Sequence, residues 1–128
     1  MCIDREVERY KDINKKLVDV YDAKEHKIVN QSFYVKGLSF MKLRDILITI
    51  GKVHLEDIPN NIYVAMIPGG FAKKNYAIAI FKLLEQELDL AVYAEEGIIN
   101  QHTSKGVINE FTKCIEQYIS NENEYIVR

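Results

Sequence analysis

Six apolar residues in a row, Ile62-Tyr63-Val64-Ala65-Met66-Ile67, stand between two turn-forming triplets, Pro59-Asn60-Asn61 and Pro68-Gly69-Gly70. A short apolar run closed on both sides by such residues reads as a strand, 62–67, so the fold contains a sheet.

The residues after the glycines admit three readings. Ala77, Ile80, Phe81, Leu84, Leu88, Ala91 and Val92 recur at spacings of three and four, the pattern of one helical face. That predicts a helix over 72–88, opening near Ala72, with Asp89 as a break and 90–94 as a further strand. With Gly97 as the C-terminal cap the same residues give one long helix over 72–96 and a mostly helical protein. The third reading folds Tyr76–Phe81 back on 62–67 as a hairpin. The strand–helix–strand reading is placed first, because Val92-Tyr93 after an acidic restart suits a strand.

Elsewhere the patterns separate more cleanly. Ile3, Val7, Tyr10, Ile13, Leu17 and Tyr21 form a stripe, which predicts an amphipathic helix over about 4–22 with Asp4 as its cap. Alternation through Val29, Phe33 and Val35 predicts a half-buried strand over 28–35. Ser39 and Gly51 bracket a helix over 40–50, with Gly51 expected at positive φ. Val53, Leu55 and Ile58 suit a packed connection or a short edge strand ended by Pro59. Thr103 or Ser104 can cap a last helix over 104–119 that buries Val107, Phe111 and Cys114, while Tyr125-Ile126-Val127 either adds an edge strand or frays. The expected class is α+β, one domain over 1–128, with a small sheet packed on amphipathic helices. A chain of 128 residues can bury enough surface to fold without a disulfide or metal.

Charge narrows the function. A net charge of −2 argues against nucleic acid as a partner. Phe33-Tyr34-Val35-Lys36 is the nearest approach to a base-stacking platform. A charged N-terminus and the lack of a long apolar run predict a cytoplasmic protein with no membrane partner. Cys2 and Cys114 form no disulfide or zinc pattern, and no cofactor is expected.

Two stretches carry candidate chemistry. In Gly69, Gly70, Ala72, Lys73 and Lys74, flexible glycines precede a predicted helix N-terminus and two cations, a combination that suits a small anion. The spacing matches neither the phosphate-binding loop nor the dinucleotide fingerprint. In Glu95, Glu96 and His102, two carboxylates and an imidazole would serve acid–base work or a divalent metal if the loop folds back, but they lack metal-motif spacing. His54-Leu55-Glu56-Asp57 repeats those residue types in another connection. With no catalytic spacing in the chain, the leading expectation is a non-catalytic binding or regulatory module, as a homodimer, recognising a protein partner or a small anionic ligand. The alternatives are a small enzyme acting on a phosphorylated or carboxylated metabolite, and an inhibitor- or chaperone-like protein of a mobile element.

Overall fold

The computed structural model describes the backbone of residues 2–69, 75–95 and 102–127, and the side chains of residues 9–69, 75–95 and 102–118. Among these residues lie three α-helices and one five-stranded antiparallel sheet, a single α+β domain. In chain order the elements are α1 (Cys2–Tyr21), β1 (Val29–Tyr34), α2 (Phe40–Ile50), β2 (Lys52–Asp57), β3 (Ile62–Gly69), β4 (Asn75–Leu84), β5 (Glu87–Tyr93) and α3 (Thr103–Val127). The sheet order is β1-β5-β4-β3-β2, so consecutive strands from β2 to β5 form a meander, and β1 closes the far side against β5.

The apolar run 62–67 becomes the inner strand β3. Its side chains alternate between two covered faces, which is why it reads as continuous rather than alternating. Tyr63, Ala65 and Ile67 point to the side carrying α2 and α3, and Ile62 and Val64 to the side carrying α1. On the first side, Leu43 and Leu47 of α2 and Phe111 of α3 are fully buried. Phe111 has ring centroids 4.9 Å from Phe81 and 5.6 Å from Phe33. The small residues Ala65, Ala77 and Ala79 let this layer approach the sheet closely. On the second side Ile13 and Leu17 of α1 lie over Ile62, Val64, Ile80 and Ala91.

From Asn75 onward the predicted helix over 72–88, and the longer one over 72–96, are replaced by the β4–β5 hairpin, while the third reading corresponds to the β3–β4 pairing, in which Ile62 to Gly69 pair in register with Lys82 to Asn75. The helical spacing is a coincidence of two-sided burial. Ala77, Phe81 and Leu88 face α3, whereas Ile80 faces α1, so residues four apart such as Ala77 and Phe81 share a face while residues three apart such as Ala77 and Ile80 lie on opposite ones. The turn is Glu85-Gln86, with Glu85 at φ 56°, where hairpins ordinarily use glycine. The strand over 90–94 is real and starts earlier, at Glu87.

Other elements follow the sequence closely. Ser39 caps α2, its hydroxyl oxygen accepting from the Lys42 amide at 3.1 Å. Gly51 follows α2 but is extended, at φ −168°, not left-handed. Its constraint is space: a Cβ there would stand 2.5 Å from the Met66 carbonyl oxygen and 2.9 Å from Ile67 Cγ1. Residues 52–57 take the edge-strand alternative. The first helix already includes Cys2, ahead of the expected cap at Asp4. Thr103 is the first residue of α3 rather than the residue before it, and 125–127 continue that helix. Cys114 is half-buried, less enclosed than its place on the stripe implies.

Candidate binding face

The two faces of the sheet are not equally covered. Helix α1 runs obliquely, with Arg9 beside β5, Lys16 near Asp57 of β2, and the Tyr21 ring edge-on to His54 at 6.2 Å. Beyond its end, the part of the face formed by the start of β2, the end of β3 and the start of β4 has no helix over it among the described residues. Met66 is 37% and Tyr76 56% exposed there, values that belong to a surface although both residues sit on inner strands. With Pro68, Gly51 and Lys52 they bound an open groove of about 370 Å³. Among the described residues its walls are apolar apart from Lys52, which has no ion-pair partner there. Met66 lies directly across from Lys52 on one side and Ile78 on the other, so register places the cation at the groove's rim.

Under α1 the same face is closed, and its apolar patch is flanked by a polar seam. Asp89 is 9% exposed, and its Oδ1 accepts from Arg9 Nε and from Ser32 Oγ, each at 2.8 Å. Because the Ser32 hydroxyl has spent its proton on Asp89, Tyr10 is the donor in the 2.5 Å Tyr10–Ser32 bond. Arg9 Nη2 also donates to Glu87 Oε2 at 2.8 Å. The hydrogen bond to Asp89 is the main cause that holds the Arg9 guanidinium above its ordinary value. Asn14 and Asn30 exchange amide bonds at 3.1 and 2.8 Å. This seam ties α1 to β1 and β5. Its one trace in the sequence is Asp89 within an apolar run, which reads equally well as a helix break.

The candidates drawn from sequence are placed as follows. Gly69 ends β3, where a Cβ would lie 3.1 Å from both Thr103 Cγ2 and Val107 Cγ2, so its role is close approach to α3. Gly70, Ala72, Lys73 and Lys74 lie outside the described residues. The helix that was to present free amides to an anion is instead a strand from Asn75 onward. Asn75 Nδ2 donates to Thr103 Oγ1 at 3.1 Å. The two ends of the 70–74 connection therefore both meet the first turn of α3, one residue after His102. His102 is exposed with φ 53°, Glu95 is exposed just past β5, and Glu96 lies outside the described residues.

Near β2, Glu56 pairs with Arg44 at 2.6 Å, Asp57 with Lys16 at 3.9 Å, and His54 with the Tyr21 ring, so those groups are occupied in structural contacts. Phe33 and Tyr34 point to opposite faces of β1 and make no stacking platform. Among the described residues no three His, Cys, Asp or Glu side chains lie close enough to hold a metal ion. No helix there is long and apolar enough to cross a membrane. The sequence signal that could have located the groove is Met66 and Tyr76 on the same face of neighbouring strands, which becomes legible only once the β3–β4 register is known. Compared with protein-family models, curated proteins and solved structures, the chain matches none.

Proposed function

We propose that this chain is a non-catalytic binding module that receives an apolar and acidic segment of a protein partner in the groove between Lys52, Met66, Pro68 and Tyr76. The observation that carries this reading is the exposure of Met66 and Tyr76 on one face of two neighbouring inner strands, whose other large apolar residues are covered apart from Leu84 beside the β4–β5 turn. Exposed aromatic and methionine side chains beside one another are the usual material of recognition surfaces. The occupant's chemistry follows from the lining: apolar walls take an aliphatic or aromatic side chain, and Lys52, the one cation among the described lining residues, takes a carboxylate next to it. Charge supplies the specificity and apolar contact the affinity.

The test uses two pools of synthetic peptides with the same apolar residues, one carrying Asp and Glu and the other Lys and Arg. The acidic pool should bind and shift the NMR resonances of Lys52, Met66 and Tyr76, and Lys52→Glu should turn the preference toward the basic pool. Absence of shifts at these residues with both pools, or a preference unchanged in Lys52→Glu, would refute the reading.

A further inference from the structure

The sheet has two edges, and they differ in the features that prevent strands from pairing. β2 is interrupted by a bulge between Val53 and Leu55 and carries Lys52, Glu56 and Asp57. Bulges and charges of this kind blunt an edge. β1 reads Val29-Asn30-Gln31-Ser32-Phe33-Tyr34, without charge or proline, and its register with β5 is unbroken from Val29–Val92 to Tyr34–Glu87.

The direction of its backbone groups can be derived. The Val35 amide donates to the Gln86 carbonyl at 2.7 Å, in register with the β1–β5 ladder. In an antiparallel ladder the residues that exchange hydrogen bonds alternate, so Phe33, Gln31 and Val29 also turn their N–H and C=O toward β5. Asn30, Ser32 and Tyr34 then turn theirs outward. The Gln31 side-chain amide reaches the Ser32 carbonyl at 3.3 Å, as expected for a group on the open side. No other described residue bonds to these outward groups.

We infer that β1 pairs antiparallel with β1 of a second copy of this chain, about a twofold axis through Ser32 and perpendicular to the sheet. Outward groups sit symmetrically about Ser32, so this register matches Asn30 with Tyr34 of the partner subunit, Ser32 with its own equivalent, and Tyr34 with Asn30 of the partner subunit. Each match exchanges both backbone hydrogen bonds. Side chains on matched residues lie on the same face, so the α1 helices of the two copies fall on the same side. Charge singles out a second copy at this edge: two chains of net charge −2 meet here with no like charges opposed, whereas β2 would set Glu56 and Asp57 against themselves. Tyr34, 69% exposed in the single chain, gains a neighbouring strand to lie across. The seam from Tyr10 to Ser32 and from Asn14 to Asn30 already fixes β1 in place, so little ordering remains on pairing. The result is one sheet continuous through both copies, distinct in place from the groove on the opposite side.

Amide hydrogen exchange on the full chain, from micromolar to millimolar concentration, tests this together with sedimentation. A dimer is expected, and the amides of Asn30, Ser32 and Tyr34 should slow by roughly tenfold or more as it forms, while those of Gln31 and Phe33, already bonded to β5, should not change. Tyr34→Pro, which removes one outward N–H and no β5 bond, should return the protein to monomer. A protein that stays monomeric throughout, a dimer whose Asn30, Ser32 and Tyr34 amides remain fast, or a Tyr34→Pro dimer of unchanged strength would each overturn the proposal.

Discussion

One sheet presents two faces that are held by different means. Beneath α2 and α3 the contact is mainly apolar, with Phe81, Phe111, Leu43 and Leu47 fully buried. Beneath α1 a smaller apolar patch around Ile13 and Leu17 is flanked by Arg9, Asp89, Ser32 and Tyr10. Apolar contact is strong but indifferent to small sliding, whereas hydrogen bonds fail when a helix shifts by a fraction of its rise. The α2/α3 face therefore supplies most of the stability. The α1 face fixes where the helix stops, and so how much of the sheet stays open.

The largest effect should come from the apolar side. Phe111→Ala removes a ring packed between Phe33 and Phe81 and should cost about 3–5 kcal/mol in urea unfolding. A loss under about 1 kcal/mol would mean that α3 contributes little to the fold. On the α1 side, Asp89→Leu leaves Arg9 and Ser32 without their acceptor. Since Arg9 is a third exposed and can turn to water, the expected cost is about 2 kcal/mol rather than that of a fully buried pair. Adding Arg9→Met should recover about half of it, because the pair positions the helix more than it stabilises it; a further loss in the double variant would reverse that view.

The passage between the faces is tested by two glycines. Gly51→Ala forces a Cβ against the β3 backbone and should cost about 1–3 kcal/mol. Gly106→Ala, on an open side of α3, should stabilise by about 0.5–1 kcal/mol. Equal melting temperatures for the two would contradict the close approach of Gly51 to Met66.

The smallest effect is electrostatic. Tyr63 is buried, stacks on Phe40 at 4.0 Å and donates its hydroxyl to the Phe40 carbonyl at 2.9 Å. Burial raises its pKa above the ordinary 10.0. The folded state thus keeps a proton that the unfolded chain releases first, so this contribution is complete below about pH 10 and fades as pH rises toward the folded value. Tyr21 is raised by burial in the same direction. Urea midpoints measured from neutral to alkaline pH should fall less steeply in Tyr63→Phe than in the parent.

What could be read from sequence divides along the same line. α2 was legible to the residue because Ser39 and Gly51 mark its ends, and the strand predicted over 28–35, observed over Val29–Tyr34, because apolar Val29 and Phe33 fall on one face and polar Asn30 and Ser32 on the other. The stretch 72–96 misled because β4 and β5 are covered on both faces and their turn carries Glu85-Gln86 in place of glycine or asparagine. For Gly51 the residue was right and the reason was not: a nearby carbonyl, invisible in sequence, does the work assigned to positive φ. The candidate chemistry was the least legible part. The assignment of residues 69–74 assumed a helix N-terminus where the chain is a strand from Asn75 onward, and the groove arises from register between strands.

The sheet order carries a consequence for how the chain is made. Four strands, β2 to β5, are joined to their neighbours through short connections, while β1 must wait for a partner some sixty positions later, as in the pair Val29–Val92. Loops between consecutive strands close quickly, and distant pairings come late. During synthesis α1 and β1 precede the rest of the sheet; α1 can dock on Ile62, Val64 and Ile80 as they are added, but β1 has no strand to pair with until β5 is complete. During that interval the β1 backbone is unpaired on both sides, the kind of edge that invites pairing with another chain.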